Sequence, residues 1–140
     1  MKALTVIQPW AYLLASGKKQ NETRSWRTNY RGEILIHAGK KDMTQAMRQT
    51  LFEARYMEKA GVFSMNMELG AIIGKAVLVD CFQIDEAYRY KLRRENEAEL
   101  AFGDYRLGRY AWVMKDPVLF DEPIPAIGRQ GLWNWEGTLK

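Results

Sequence analysis

The sequence is poor in the residues that form disulfides and metal sites. Its 140 residues include one cysteine, Cys81, and one histidine, His37. A single cysteine cannot form an internal disulfide, and these two residues together do not supply the ligand set of a structural zinc site. We therefore expect no metal and no cofactor, and a reducing, cytoplasmic environment.

Long hydrophobic runs and low-complexity segments are also missing. No apolar stretch approaches the ~20 residues that a membrane-spanning helix needs, so we expect no membrane partner. Hydrophobic residues make up 47% of the chain and charged residues 27%, which is typical of a globular protein. Because the sequence shows no internal repeat and no linker, we expect one domain over residues 1–140.

Short apolar segments separated by turns dominate what is present. They predict strands at 2–7, 21–26, 32–38, 71–84, 110–114 and 118–120, the last two around a turn at 115–117. A short helix is predicted between Pro9 and Gly17, and longer helices at 43–60 and 85–102. The charges of the last helix, Glu99 among them, are assigned to a solvated face. The pattern indicates a mainly β fold with helical insertions (α+β), either a small barrel or an open sheet.

Positive charge is concentrated in one part of the chain, although the net charge is only +4. Residues 17–41 contain two acidic side chains, Glu22 and Glu33, against seven basic ones: Lys18, Lys19, Arg24, Arg27, Arg31, Lys40 and Lys41. Trp10, Trp26 and Tyr30 lie within or beside this segment. Cations that can meet phosphates, together with rings that can stack on bases, are typical of nucleic-acid-binding proteins.

A charged signature follows the first predicted helix, with the spacing Gly-x-Lys-x-x-Glu-x-Arg over Gly17, Lys19, Glu22 and Arg24. Side chains two residues apart share one face of a strand, so Glu22 and Arg24 should project together. Lys19, in the turn before the strand, can lean over the same spot. The three side chains could orient a polar ligand in a cleft, or they could form an ordinary ion-pair cluster on an edge strand.

The ordered set of motifs resembles the ASCH domain (activating signal cointegrator homology), a branch of the PUA-like superfamily. The resemblance rests on Gln-Pro-Trp-Ala at 8–11, the signature at 17–24, and Tyr-Arg-Gly at 30–32, which leads into an apolar strand ending in His-Ala. It continues near the end of the chain with Trp-Val-Met at 112–114 and Gly-Arg-Gln-Gly-Leu-Trp at 128–133. The resemblance implies a small PUA-like β-barrel with two or three helices packed outside.

The resemblance also implies an RNA-associated protein that binds single-stranded RNA or a nucleoside, including a modified one. Lys19, Glu22 and Arg24 are expected to line the cleft. The full set of predicted ligand-binding residues is Gln8, Trp10, Lys19, Glu22, Arg24, Trp26, Arg27, Tyr30, Arg31 and Lys40.

A small hydrolase is the second hypothesis, because relatives of this family include amidohydrolases acting on 4-acetylcytidine and proteins described as ribonucleases. In the amidohydrolase branch a threonine stands at the position of Glu22 and a separate glutamate lies far downstream, for which Glu68 is a candidate here. For metal-independent RNA cleavage, Glu22 would be the general base on a 2′-hydroxyl, with Lys19 and Arg24 stabilising the phosphorane. His37 is a secondary candidate for proton transfer.

The third hypothesis is a non-catalytic protein-interaction or small-ligand module. A signature closed into a buried salt-bridge cluster would favour it over the other two. The sequence leaves the ligand and the oligomeric state open.

Overall fold

One mixed β-sheet forms the centre of the molecule. The computed structural model describes residues 1–139. Within them the strands are β1 (Lys2–Gln8), β2 (Asn21–Arg24), β3 (Gly32–Asp42), β4 (Ala71–Gln83), β5 (Tyr110–Pro125) and β6 (Leu132–Asn134). The order across the sheet is β2-β5-β4-β3-β1-β6. β1 and β3 pair in parallel, whereas the other neighbouring strands pair antiparallel.

The predicted barrel is not confirmed. Within residues 1–139 no backbone pairing joins β2 to β6, so the sheet is open at both edges. The mainly β character with helical insertions is confirmed. The helices of the described residues number five rather than two or three: α1 (Trp10–Ala15), α2 (Thr44–Met47), α3 (Leu51–Lys59), α4 (Glu86–Glu95) and α5 (Glu97–Phe102).

Each of the two longer predicted helices is interrupted, by residues 48–50 in the first and by Asn96 in the second. Thr50 is extended between α2 and α3, with φ −104° and ψ 111°. Asn96 separates α4 from α5, with φ −155° and ψ 71°, and its side chain accepts a hydrogen bond from the backbone N–H of Glu99. This cap begins a new helix, so the residues of α5 do not continue the phase of α4.

The predicted turn at 115–117 is wrong, because it lies inside β5. Asp116 takes a positive φ of 52°, and the pairing of β5 with β4 shifts register nearby. The irregularity therefore bends one continuous strand instead of separating two. The first part of β5 pairs with β2 on one side and with β4 on the other.

Helix α1 leads the signature into the sheet. Its Ala11 and Leu14 pack on the core cluster that contains Trp112 of β5. Gly17 ends the helix with a φ of +81°, a conformation that favours glycine, and its N–H donates to the carbonyl of Leu14. β2 begins four residues later and pairs with the start of β5, which fixes where the signature side chains point.

A second group of helices packs against the opposite side of α1. Leu13 of α1 lies in a buried cluster with Met57 of α3 and Phe102 of α5. This cluster holds α5 over the start of β2. In the part of the chain that the structure describes, no helix has the length and apolar composition to cross a membrane.

Candidate functional site

A cleft of about 1320 Å³ opens between the sheet edge and α5. Its walls come from the end of β1, from β2, from α5 and from the loop of residues 126–131. Of the residues predicted from the sequence, the cleft is lined by Trp10, Lys19, Glu22, Arg24, Trp26, His37 and Lys40. Segments that are distant in the sequence therefore meet around the signature strand.

Glu22 and Arg24 form a tight pair on the face of β2 that borders the cleft. Both Nε and Nη2 of Arg24 lie 2.7 Å from Oε2 of Glu22, and Nη2 also donates to the carbonyl of Thr5 at 2.8 Å. The orientation of the guanidinium is fixed, because Glu22 of β2 and the carbonyl of Thr5 in β1 both hold it. No hydrogen bond from residues 1–139 reaches Oε1 of Glu22 or Nη1 of Arg24, which leaves one acceptor and one donor available to a ligand.

An aromatic ring stands beside this pair. Trp26 is 46% exposed, and the guanidinium carbon of Arg24 lies 5.3 Å from its ring centroid. Trp112 supports the ring edge-on at 6.0 Å and donates from Nε1 to the carbonyl of Trp26. An exposed, supported ring next to an arginine is a suitable platform for a stacked base.

Lys19 is not the mobile charge that the sequence predicted over Glu22 and Arg24. Its Nζ donates to the carbonyl of Asn21 and lies 3.9 Å from Oε2 of Glu99. The side chains of Lys19 and Glu99 are each 1% exposed. The turn after Gly17 directs Lys19 inward beneath α5, so it forms a separate buried ion pair at the wall of the cleft.

Glu99 was assigned to a solvated face, and that assignment is wrong. Its Oε1 accepts from the N–H of Gln20 at 2.6 Å. Its Oε2 accepts from the hydroxyl of Tyr105 at 2.5 Å and from the N–H of Asn21 at 3.4 Å. Both carboxylate oxygens therefore hold the start of β2 against α5. The Asn96 cap is the sequence signal that could have found this, because it restarts the helical phase.

Two tyrosines complete the buried polar cluster around Glu99. The side-chain amide of Asn21 donates to the hydroxyl of Tyr88 at 2.7 Å and to that of Tyr105 at 3.2 Å. Burial raises the pKa of Tyr105, and the Glu99 carboxylate raises it further. Burial also raises the pKa of Tyr88. Both phenols therefore stay neutral at physiological pH and act as donors to, or acceptors from, fixed partners.

His37 lies at the floor of the cleft with both ring nitrogens engaged, and it is 2% exposed. Nε2 is 2.7 Å from the carbonyl of Ala126, and Nδ1 is 3.2 Å from the hydroxyl of Thr5. Since a carbonyl only accepts, Nε2 carries a proton, and in the neutral imidazole Nδ1 accepts from the hydroxyl of Thr5. The Thr5 hydroxyl in turn accepts from Nε1 of Trp133 at 2.9 Å.

These bonds place His37 as a support for the 126–131 loop rather than as a free proton donor. Gly128 lies directly on the imidazole, where an added Cβ would overlap the ring. His37 thus holds the loop by one hydrogen bond and by one close contact that only glycine permits.

Gln8 and Glu68 lie outside the cleft. Gln8 is 1% exposed, accepts from the N–H of Tyr12 at 2.9 Å and donates to the carbonyl of Glu68 at 3.0 Å. It joins α1 to the segment before β4. Glu68 is exposed and takes part only through its backbone, so the downstream glutamate beside the signature is Glu99 and not Glu68.

Three further predicted ligand residues are also placed away from the cleft. Arg27 lies over the ring of Tyr110, 5.6 Å from its centroid. The hydroxyl of Tyr30 donates to the carbonyl of Glu33. Arg31 donates to the carbonyl of Tyr30. Tyr30 and Arg31 therefore stabilise the entry to β3.

Two cations of the cleft were missed as site residues. Arg109 donates from Nη2 to the carbonyl of Thr23 at 3.2 Å, and its Nε lies 3.4 Å from Oδ2 of Asp104. Arg129 is exposed in the 126–131 loop, within the Gly-Arg-Gln-Gly run that was noted only as part of the resemblance. The lining carries five basic side chains, Lys19, Arg24, Lys40, Arg109 and Arg129, against three acidic ones, Glu22, Glu53 and Asp104.

Residues 1–139 contain no group of three or more histidine, cysteine, aspartate or glutamate side chains arranged to hold a metal ion.

The sequence and the fold are similar to those of known ASCH proteins. The ASCH domain model matches residues 4–122. Activating signal cointegrator 1 of Mus musculus and of Homo sapiens are 27% and 28% identical to the chain over 141 aligned positions, which cover 97% of it. The chain spans only 22% of the length of these two relatives.

The likeness extends to solved structures. The crystal structure of ASCH from Zymomonas mobilis has a TM-score of 0.58 and 18% identity, and the match covers 96% of this chain and 87% of that one. A mutant of the same protein has a TM-score of 0.57 at 18% identity, covering 96% and 90%. At this level of identity the likeness shows the fold.

Proposed function

Because this chain belongs to the ASCH domain family, a family associated with RNA binding, we propose that it binds single-stranded RNA or a nucleoside in the cleft beside β2. The observation that carries the proposal is the Glu22–Arg24 pair. It offers Oε1 and Nη1 to a cleft that is large enough for a nucleotide and that is bordered by the exposed ring of Trp26.

The pair is suited to a ligand that carries a donor beside an acceptor. Glu22 can accept from an exocyclic amino group or from a ribose hydroxyl, while Nη1 of Arg24 donates to a carbonyl or phosphate oxygen. The hydrogen bond to Thr5 orients Arg24 in advance, which lowers the entropy that binding would cost. Stacking on Trp26 would contribute about 1–3 kcal/mol per base.

Cations around the cleft can meet the phosphates of a longer strand. Lys40 and Arg129 are exposed on its rim, and Arg109 lies on its wall. Contacts of this kind are independent of sequence and weaken as salt rises, since each one releases counterions. Lys19 has a different role in this proposal: its buried pair with Glu99 positions β2 and does not contact the ligand directly.

The test compares Glu22→Gln with a matched change outside the cleft. Glu33→Gln removes an equivalent charge from the exposed pair with Lys75, 3.3 Å away. Binding of the four nucleosides and of a short single-stranded RNA is measured by tryptophan fluorescence. We expect Glu22→Gln to lower affinity about tenfold, the loss typical of one charge-assisted hydrogen bond, and Glu33→Gln to leave it unchanged.

Equal affinity in both variants would contradict the proposed contact. A wild-type protein that binds neither nucleoside nor RNA at low salt would contradict the proposed function as a whole.

Hydrolysis is a second candidate, favoured by one observation. The buried amine of Lys19 lines the cleft, and the buried carboxylate of Glu99 lies behind it, 3.9 Å away. Such a pair could exchange a proton during hydrolysis of an amide on a modified base. Acetate release from 4-acetylcytidine, and cleavage of a labelled RNA, are measured for the wild type and for Lys19→Gln. Product formation that Lys19→Gln abolishes would support an enzyme, and no product from the wild type would exclude these two substrates.

A further inference from the structure

A smaller cavity of about 380 Å³ adjoins the cleft. It lies between α4, α5 and residues 103–106, with Phe52 of α3 at its rim. Gly103 and Asp104 line both the cleft and this cavity, so the two share a wall. The second cavity therefore borders the cleft at Gly103.

Two arginines of α4 face the second cavity without a counter-ion. Arg89 and Arg93 are one helical turn apart, so they project from the same side of α4, and both line the cavity. Within residues 1–139 neither forms an ion pair. Nε of Arg89 is buried and has no hydrogen-bond partner in the described part of the chain. The charges of both guanidinium groups are therefore not neutralised by the described residues and are available to an anion in the cavity.

The carboxylates that line the cavity do not act as counter-ions for Arg89 and Arg93. Asp104 accepts from Nε of Arg106 at 2.8 Å and from Nη2 at 2.6 Å, and the hydrogen bond from Arg106 lowers the pKa of Asp104. Glu97 accepts from the hydroxyl of Tyr56. Each acidic side chain is therefore engaged by a partner other than Arg89 or Arg93.

We propose that Arg89 and Arg93 bind a backbone phosphate of an RNA strand that continues from the cleft across Gly103, an inference that rests on the proposed RNA binding. Arginine remains charged at all physiological pH values, and its fork matches the oxygens of a phosphate. Phe52, which is 40% exposed at the rim, offers a ring to the adjacent base. The RNA would then meet cations and an aromatic ring both in the cleft and in the second cavity.

The test uses two double variants that remove the same charge from the same helix. Arg89→Gln/Arg93→Gln changes the cavity. Lys91→Gln/Arg94→Gln changes two exposed residues of α4 that do not line it. Affinity is measured by fluorescence anisotropy for a trinucleotide, which the cleft alone can hold, and for a single-stranded RNA of about ten nucleotides.

We expect the wild type to bind the longer RNA more tightly than the trinucleotide. Arg89→Gln/Arg93→Gln should weaken the longer RNA about tenfold or more and flatten its salt slope by about 0.7, as loss of one phosphate contact predicts for a single strand. Its affinity for the trinucleotide should change by less than about twofold. Lys91→Gln/Arg94→Gln should have a much smaller effect on both. Equal losses in the two double variants would overturn the inference, since α4 would then act only through diffuse charge.

A titration with inorganic pyrophosphate tests the anion site independently of the proposed RNA binding. Nitrogen-15 NMR follows the Nε–Hε signal of Arg89 during titration, and the inference requires a shift that the Lys91→Gln/Arg94→Gln protein retains. An unmoved signal overturns the anion site even if the trinucleotide binds normally in the cleft. A shifted signal with no binding of either RNA overturns the RNA path and the proposed function together, and leaves an anion site alone.

Discussion

Lys19 and Glu99 form a buried ion pair that fixes the signature strand to α5. Their charged atoms are 3.9 Å apart, and both side chains are 1% exposed. Glu99 also accepts from the backbone N–H groups of Gln20 and Asn21. The positions of Glu22 and Arg24, the second and fourth residues of β2, therefore depend on a helix that is distant in the sequence.

The first prediction concerns the stability of this pair. Glu99→Gln leaves the Lys19 ammonium buried without its counter-ion, so the free energy of unfolding should fall by about 3 kcal/mol or more. Urea denaturation followed by circular dichroism measures the change. Glu95→Gln, an exposed charge at the end of α4, is the control and should shift it by no more than about 0.5 kcal/mol. Similar values for the two variants would show that Lys19 finds another partner.

Arg24→Lys tests whether the fork of Arg24 matters beyond its charge. Lysine keeps the positive charge but cannot bind Glu22 and the Thr5 carbonyl with the same planar group. Affinity for RNA should fall about tenfold while the salt slope is retained. Arg27→Lys, which changes an arginine outside the cleft, should have no comparable effect. An affinity and a salt slope that both stay unchanged would instead identify Arg24 as a simple phosphate contact, which lysine can replace.

The placement of the basic residues predicts which of them RNA meets. Lys40→Glu/Arg129→Glu reverses two charges that line the cleft, and Arg27→Glu/Arg31→Glu reverses two that do not. Because the change in net charge is the same, diffuse attraction falls equally in both proteins. Filter binding at low salt should show a loss several times larger for the first pair. A larger loss for Arg27→Glu/Arg31→Glu would restore the sequence-based assignment of these two residues.

Alkaline stability reports on the cluster around Glu99. Burial, and next the Glu99 carboxylate, raise the pKa of Tyr105, whereas the unfolded phenol ionises near pH 10. The contribution of Tyr105 to stability is therefore full below about pH 10 and is lost progressively as the pH rises above it. In urea titrations between about pH 10 and 11, the free energy of unfolding of Tyr105→Phe should fall less steeply with pH than that of the wild type. Parallel pH profiles for the variant and the wild type would contradict this account.

The sequence predicted that Glu22 and Arg24 lie on the same face, because side chains alternate between the two faces along any β-strand. Two residues along a strand return a side chain to the same face, whatever the rest of the chain does. The register with β5 then decides that this face borders the cleft. Lys19 precedes the strand, in a turn whose geometry has no period, so its direction could not be obtained in the same way.

Glu99 was misplaced for a related reason. Helical phase accumulates along a helix, and the prediction carried one phase through 85–102. The break at Asn96 resets it, which turns Glu99 towards β2. The open edge of the sheet and the irregular 126–131 loop depend on long-range pairing and on contacts with His37, and neither leaves a periodic signal in the sequence.

The contact between Gly128 and His37 constrains how this cleft can diverge. An added Cβ at position 128 would overlap the imidazole and approach the hydroxyl of Thr5. A larger residue there requires either a smaller side chain at position 37 or a loop that lies further from it. Homologues with a side chain at position 128 should therefore lack the histidine at position 37 or carry a displaced 126–131 loop.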